Sequence, residues 1–309
     1  MLISHSRWGN KMITVLTPTY NRAERLDGLF QSLLAQDNKE FIWLVVDDGS
    51  TDDTESKISI FIDKADFKII YKKKNNGGKH TALNFAYQFI DTDLTFIVDS
   101  DDELTSDAIS TIEACHSKYS SESDLCGYSF LRKKRESGYL NSGILPENGY
   151  RADFVTCRIN GNMPGDMAEV WKTKCLKEFP FPEFPDEKFL GEDIIWFKMA
   201  EKYEMRFFDK AIYISNYLDD GLTRNRRKHN ILSPKGCMVR AEVFLDSKAN
   251  SKVKVKAMLQ YIIYGKFANN KYAQLFDKSK HKFMLALLYP AAYFLYRKWK
   301  KTYIGKVQK

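Results

Sequence analysis

Three times before residue 104 this chain drives a short apolar run straight into a polar cluster. Ile13-Thr14-Val15-Leu16 ends in Thr17-Pro18-Thr19-Tyr20-Asn21-Arg22. Phe41-Ile42-Trp43-Leu44-Val45-Val46 ends in Asp47-Asp48-Gly49-Ser50-Thr51-Asp52-Asp53-Thr54. Phe96-Ile97-Val98 ends in Asp99-Ser100-Asp101-Asp102-Glu103. Between them lie helical spacings, first Leu26, Leu29, Phe30, Leu33 and Leu34, then Ile58, Phe61 and Ile62. Lys68-Ile69-Ile70-Tyr71 reads as another strand, followed by Asn75-Asn76-Gly77-Gly78 and a helix from about His80 to Ile90. Continuous apolar strands alternating with helices predict a parallel sheet covered on both faces. Ligands of such sheets bind beyond the carboxyl ends of the strands, so the three polar clusters should open onto one crevice.

Asp99, Asp101, Asp102 and Glu103 crowd four negative charges at one strand end, a repulsion that a cation relieves. Carboxylate oxygens are hard ligands, so Mg²⁺ or Mn²⁺ shared with a phosphorylated ligand is the natural partner. A solvated acidic turn opening the next helix is the plainer alternative. The first polar cluster has no GxGxxG, and Gly77-Gly78-Lys79-His80 lacks the first glycine and the hydroxyl of a phosphate-binding P-loop. What remains is a nucleotide held by side chains, its diphosphate neutralised by a metal.

A formal net charge of +8 raises nucleic acid as a partner. Much of the excess sits in Arg224-Asn225-Arg226-Arg227-Lys228 and Arg297-Lys298-Trp299-Lys300-Lys301, without zinc-finger spacing or an RNA-binding aromatic signature. Nucleic acid is therefore set aside. Cys115, Cys126, Cys157, Cys175 and Cys237 form no CxxC pair and no metal-ligand cluster, which fits reduced thiols in a cytosolic compartment. Residues 1–11 lack the apolar core of a signal peptide and read as a leader of no assigned role.

Taken together, the motifs resemble the inverting family 2 glycosyltransferases of GT-A fold. The match runs through Thr17 to Arg22, Val45 to Asp52, and Asp99-Ser100-Asp101-Asp102 as the family's DxD. It continues with Gly165-Asp166 before Val170-Trp171-Lys172, and ends with Phe189-Leu190-Gly191-Glu192-Asp193 at a helix start. It covers roughly residues 12 to 220. The resemblance implies an α/β GT-A fold: a nucleotide-binding, parallel-rich sheet flanked by helices. The catalytic domain would occupy residues 12–230 and a helical extension residues 231–309.

The resemblance also implies roles. Thr17, Pro18, Thr19, Tyr20, Asn21 and Arg22 border the nucleotide-sugar, Asp48 bonds the uracil, and Asp47 supports that strand end. Asp101 is the principal ligand of Mn²⁺ or Mg²⁺, with Asp99 and Asp102 sharing it; Asp99 also meets the ribose. Ser100 and Lys79 complete the donor set, and Gly165 and Asp166 sit against the donor sugar. Asp193 is the catalytic base, with Glu192 beside it on the acceptor. Inversion suits such a pair of acidic groups, because the base acts on the face opposite the metal-neutralised leaving group. Phe181, Phe184, Phe189 and Gly191 form a turn suited to stacking on a sugar. Without the resemblance, Glu192 and Asp193 are as readily helix N-terminal charges. Asp52 and Asp53 are then helix caps, Lys79 an exposed first-turn lysine, and His80 a packing histidine.

The implied activity moves a single sugar from a UDP-linked donor to a saccharide or polyprenyl-linked glycan in surface-polysaccharide biosynthesis. Absence of the QxxRW motif of processive relatives argues against a polymerising synthase. Two alternatives stay open: a non-catalytic sugar-nucleotide-binding or membrane-scaffold protein of the same fold, and a nucleotidyltransferase, disfavoured by the missing glycine-rich loop. Arg224, after Asp219-Asp220-Gly221, is a candidate to close on phosphate.

Ser233-Pro234 signals a helix start, and helical patterns run through 239–244 and 253–267. Phe283 to Tyr296 is an uncharged stretch containing Pro290, shorter than the roughly 20 residues that span a bilayer. With basic and aromatic flanks, residues 282–301 are expected to lie in the cytoplasmic face of a membrane, making the protein cytoplasmic and peripheral on the inner face. A core helix packed on the catalytic domain is the alternative.

Overall fold

The computed structural model describes residues 12–135, 138–140, 144–163, 165–215 and 222–304, with the backbone alone for 222–225. Its first half alternates as the apolar runs predict: β1 (Ile13–Thr19), α1 (Leu26–Leu34), β2 (Phe41–Asp47), α2 (Thr54–Lys64), β3 (Lys68–Lys73), α3 (Lys79–Ala86) and β4 (Leu94–Ile97). These strands pair in parallel in the order β3-β2-β1-β4. Successive side chains point to opposite faces of a strand. Ile13, Val15, Trp43 and Val45 accordingly join one core, while Leu16, Leu44 and Val46 join the other. Burial on both faces is why these runs are apolar without a break. β1 and β2 extend past their apolar runs because Thr17, Pro18 and Thr19 pair with Val45, Val46 and Asp47.

The second half departs from an all-parallel sheet. β5 (Glu103–Leu104), α4 (Ala108–Tyr119), β6 (Leu125–Lys134), β7 (Tyr150–Ala152), β8 (Met167–Lys172), α5 (Thr173–Glu178), α6 (Asp193–Ala200) and β9 (Glu204–Ser215) follow. β8 runs antiparallel to β4 and β6, β9 is parallel to β6, and β5 and β7 both pair antiparallel with β9. The sheet is thus parallel on one side of β4 and mixed on the other.

Among the described residues five α-helices follow, α7 (Leu222–Leu232), α8 (Pro234–Asp246), α9 (Ser251–Phe267), α10 (Tyr272–Lys278) and α11 (Lys282–Trp299), and a π-helical turn at Lys300–Ile304 extends the last. α8 packs on α6, where Phe244 stacks on Phe197 with ring centroids 3.7 Å apart. α11 lies along α9 and buries Leu285 and Ala292, so one of its faces is core-packed. Its other face leaves Phe283, Leu287 and Phe294 exposed, at 84%, 68% and 69%. No described helix is long and apolar enough to cross a membrane. The five cysteines are free thiols, and burial pushes each thiol pKa up.

Candidate active site

The parallel strand ends open onto a cleft of about 880 Å³. Pro18, Thr19, Tyr20 and Arg22 line it from the end of β1, and Asp99, Ser100, Asp101 and Asp102 from the turn after β4. The Thr19 hydroxyl is buried and has no hydrogen-bond partner among the described residues, a polar group that a ligand in the cleft would satisfy. Thr17 and Asn21 do not line the cleft. Thr17 Oγ1 accepts from the Trp43 indole at 3.0 Å, and the Asn21 carboxamide accepts from the Thr51 N–H at 2.8 Å. Both hold the β1 and β2 ends together, a structural role within the motif.

Asp47 and Asp48 are both held by hydrogen bonds from within the protein, but only Asp48 also lines the cleft. Asp47 is fully buried, accepting from Tyr71 Oη at 2.6 Å and the Ser50 N–H at 2.7 Å. Asp48 Oδ1 accepts from Lys74 Nζ and the Gly77 N–H, both at 2.9 Å. Its Oδ2 accepts from Asn76 Nδ2 at 3.0 Å and the Gly78 N–H at 2.6 Å. Four donors fill the acceptor sites of a carboxylate. The 74–78 loop thus holds both Asp48 oxygens where the residue borders the cleft. Gly78, at φ +96°, sits so close to the neighbouring loop that a Cβ there would lie 2.0 Å from the Lys188 carbonyl oxygen.

Each acidic side chain of the cluster has its own partner. Asp101 Oδ2 pairs with Arg22 at 2.7 Å. Asp99 takes a hydrogen bond from Lys79, whose Nζ also lies 2.6 Å from Glu192 Oε1. Tyr213 Oη accepts from the Asp99 N–H at 3.0 Å and donates to Asp102 Oδ2 at 2.8 Å, with Arg132 at 3.8 Å. Burial raises the Asp99 pKa but Lys79 and Arg132 outweigh it, so the carboxyl sits below its usual range. Asp102 is pushed up to about 7 by burial and by the negative charge of Asp99. Arg22, Lys79 and Arg132 thus give the three aspartates three cationic neighbours.

Glu192 and Asp193 stand at the start of α6. Arg240 of α8 grips Asp193, with Nε 2.6 Å from Oδ1 and Nη2 bonding Oδ2, and Arg226 lies 3.8 Å away. Burial raises the Asp193 pKa, yet the two guanidiniums hold it below the usual carboxylate range. Gly191 makes the grip fit: a Cβ there would meet Asp193 Oδ1 at 2.8 Å and Arg240 Nε at 3.2 Å.

A second cavity, of about 1050 Å³, lies beyond these residues and reaches the C-terminal helices. Lys79, Asp99, Arg132, Asp166, Glu192 and Arg226 line both spaces; Asp101 and Asp102 line only the first, Asp193 only the second. Gly165 borders neither, and its carbonyl accepts from Arg158. Phe189 faces the cleft and stacks on His229 at 5.6 Å, whereas Phe181 is buried in the core and unavailable for a sugar. His80 is buried, as a packing histidine. Asp52 accepts from the Thr54 N–H at 3.1 Å, and Asp53 makes no side-chain cap bond to α2. The Arg224 side chain, residues 1–11 and Asp219-Asp220-Gly221 lie outside the described residues. Sequence reasoning missed Lys74, Arg132 and Arg240. Arg132 had one signal, as the first charge after a buried strand run; Arg240 sits in a helix whose pattern sets it apart from no other basic residue.

Among the described residues no three His, Cys, Asp or Glu side chains are gathered as a ready metal site. The three aspartates of the cluster are instead drawn apart by Lys79, Arg22 and Tyr213. Their donor chemistry still fits a hard divalent cation, because the oxygens of all three are carboxylate.

Residues 14–121 match the family described as Glycosyl transferase family 2. Staphylococcus aureus TarS, a poly(ribitol-phosphate) beta-N-acetylglucosaminyltransferase, is 34% identical over 206 residues, covering 65% of this chain and 35% of TarS. This chain thus spans about a third of the length of that relative. A Campylobacter jejuni GalNAc(5)-diNAcBac-PP-undecaprenol beta-1,3-glucosyltransferase is 27% identical over 229 residues, covering 70% of this chain and 69% of its own. The fold matches the crystal structure of TarS 1-349 in complex with UDP-GlcNAc, with a TM-score of 0.57 and 20% identity, over 88% of this chain and 77% of that one. It also matches the Pyrobaculum calidifontis mannosyltransferase PcManGT in complex with GDP-Man and Mn²⁺, with a TM-score of 0.55 and 19% identity, over 94% and 83%. The architecture is the GT-A fold.

Proposed function

A family 2 glycosyltransferase domain occupies residues 14–121, and we propose that this glycosyltransferase moves one sugar, with inversion, from a UDP-linked donor to a saccharide or polyprenyl-linked glycan in surface-polysaccharide biosynthesis. The observation that carries the reading is the junction of the two cavities at Lys79, Asp99 and Glu192. The acidic cluster faces one side of that junction and Asp193 the other. Donor diphosphate and acceptor hydroxyl need opposite sides of the anomeric carbon, which is what inversion demands. The relative TarS, crystallised with UDP-GlcNAc, supports a UDP-linked donor. Lack of QxxRW supports single-sugar addition.

Asp193 takes the proton of the acceptor hydroxyl, and Arg240 fixes the orientation of its carboxylate. Its depressed pKa keeps it ionised, so it works by placement more than by basicity. Lys79 holds Asp99 and Glu192 at the seam between donor and acceptor. Asp101 and Asp99, backed by Asp102, would hold Mn²⁺ or Mg²⁺, which when bound supplies Lewis-acid neutralisation of the leaving diphosphate. Thr19 and Tyr20 border the nucleotide, and Asp166 the donor sugar.

Membrane contact belongs to the same proposal. Phe283, Leu287 and Phe294 share one solvent-facing side of α11, and Lys282, Arg297 and Lys298 flank it. Such a helix lies in the plane of an anionic bilayer surface, at the inner face of the cell membrane.

Calorimetric titration with UDP, with and without Mn²⁺, tests the core of the reading. Metal-dependent binding that disappears in Asp101→Ala is the expected result. No metal-dependent nucleotide binding would overturn it.

A further inference from the structure

Among the described residues, salt bridges do not account for all the cations of the second cavity. Arg158 pairs with Glu169 at 3.0 Å, Lys79 with Asp99 and Glu192, and Arg240 with Asp193. At the end formed by α7 and α9 the balance changes. Among the described residues Arg226 approaches one carboxylate, that of Asp193 at 3.8 Å, and both Asp193 oxygens already bond Arg240. The Arg227 guanidinium lies over the Trp299 ring at 4.6 Å and meets the Tyr303 hydroxyl at 3.3 Å, with no carboxylate beside it among the described residues. A guanidinium stacked on a ring keeps its in-plane N–H donors available. Lys256 of α9 is exposed on the same cavity, also without an ion pair among the described residues.

We propose that this end of the second cavity binds a phosphate or diphosphate group carried by the acceptor, through Arg226, Arg227 and Lys256, with Trp299 and Tyr303 supporting the unit next to it. The inference rests on the glycosyltransferase reading for the word acceptor, and on the cavity alone for the phosphate. Guanidinium forks match phosphate oxygens in pairs, and three cations suit a group bearing more than one negative charge. At about 1050 Å³ the space slightly exceeds the roughly 300–1,000 Å³ of pockets for drug-sized ligands, so it has room for more than one sugar. Leu295, Trp299 and Tyr303 carry the cavity to the C-terminal end of α11, the helix with the exposed apolar face. A phosphate bound there stands between the base and that surface. The same chemistry would be offered by a lipid diphosphate and by a polyol phosphodiester.

The test titrates UDP-saturated protein, its donor cleft filled, with farnesyl diphosphate and separately with glycerophosphoglycerol. Wild-type protein is expected to bind at least one of them. The double variant Arg227→Gln with Lys256→Gln is expected to bind that probe about tenfold or more weakly, since a hydrogen bond to a charged group contributes about 1.5–3 kcal/mol. UDP affinity, set in the other cleft, should stay unchanged and so reports that the variant is folded. Arg227→Lys keeps the charge and should retain part of the affinity. Binding of the diphosphate alone identifies a lipid-type source, and of the diester alone a polyol phosphate. Neither probe binding, or equal binding by the double variant, overturns the proposal. If UDP itself fails to bind, the glycosyltransferase reading falls, while both probes titrated into free protein and double variant still report on the cavity.

Discussion

Arg240, on a helix of the C-terminal region, holds Asp193 through both carboxylate oxygens, Nε to Oδ1 at 2.6 Å. The candidate base is thus oriented from outside the nucleotide-binding half. Burial alone would raise the Asp193 pKa, and Arg240 with Arg226 carries it below the ordinary 3.8. The wild-type enzyme should therefore show no acid limb from this group above that value. In Arg240→Gln burial loses its main opponent, and the acid limb of kcat/KM should move to higher pH. Stability follows the same sign: a depressed carboxylate pKa stabilises above its unfolded value, and the gain is lost as pH falls through the folded one. The variant should accordingly lose the part of the Tm difference between neutral and acid pH that Asp193 contributes. A limb that stays in place would remove Asp193 as the titrating base.

Asp193→Asn keeps the shape and removes the proton acceptor. Transfer should fall by roughly 10²–10⁴-fold in kcat, the usual worth of a positioned base. UDP affinity, measured by calorimetry, should change little, because Asp193 does not line the donor cleft. Gly191→Ala tests the placement separately. Its Cβ would lie 2.8 Å from Asp193 Oδ1, so the carboxylate must turn while its chemistry is kept. A kcat loss with near-normal UDP binding is expected; unchanged kcat would show that the orientation is dispensable.

Gly78→Ala combines two penalties, a side chain at φ +96° and a contact of 2.0 Å with the Lys188 carbonyl oxygen. Backbone strain of this kind costs about 1–3 kcal/mol, and parting two loops adds to it. The Gly78 N–H would leave Asp48, loosening the wall of the cleft. Urea denaturation should show the loss of stability, and calorimetry a weaker UDP complex. Stability within the error of wild type would mean that the loops are not held as closely as this contact requires.

Local rules made the parallel half legible, because a strand buried on both faces must be apolar along its whole length. Thr17, Asn21 and Asp47 show where that legibility ends. Each belongs to a polar strand end, yet Trp43, Thr51 and Tyr71 engage them from inside the protein. A motif names residues at a site without saying which face the ligand and which hold the turn. Arg132 and Arg240 are the converse case. Their partners, Asp102 and Asp193, are distant in sequence, and no periodicity links a basic residue to a carboxylate 30 or 47 positions away. The mixed half of the sheet was hidden for a related reason, since β8 and β6 depend on strands formed far along the chain.

α11 poses the last test, and the packing decides how to make it. Deleting residues 282–309 would strip Leu285 and Ala292 from the core along with the exposed face, so lost membrane binding could reflect damage to α9. Replacing only Phe283, Leu287 and Phe294 with Glu leaves the buried face intact. Three apolar side chains withdrawn from a lipid surface, each worth about 1.5–3 kcal/mol when fully buried, exceed what a peripheral helix can lose. The triple variant should therefore remain in the supernatant when spun with vesicles containing anionic phospholipid, while wild-type protein pellets with them. Added salt should weaken the wild-type association, because the flanking Lys282, Arg297 and Lys298 act within a Debye length of the surface. Equal pelleting by both proteins would assign the exposed face of α11 to something other than lipid.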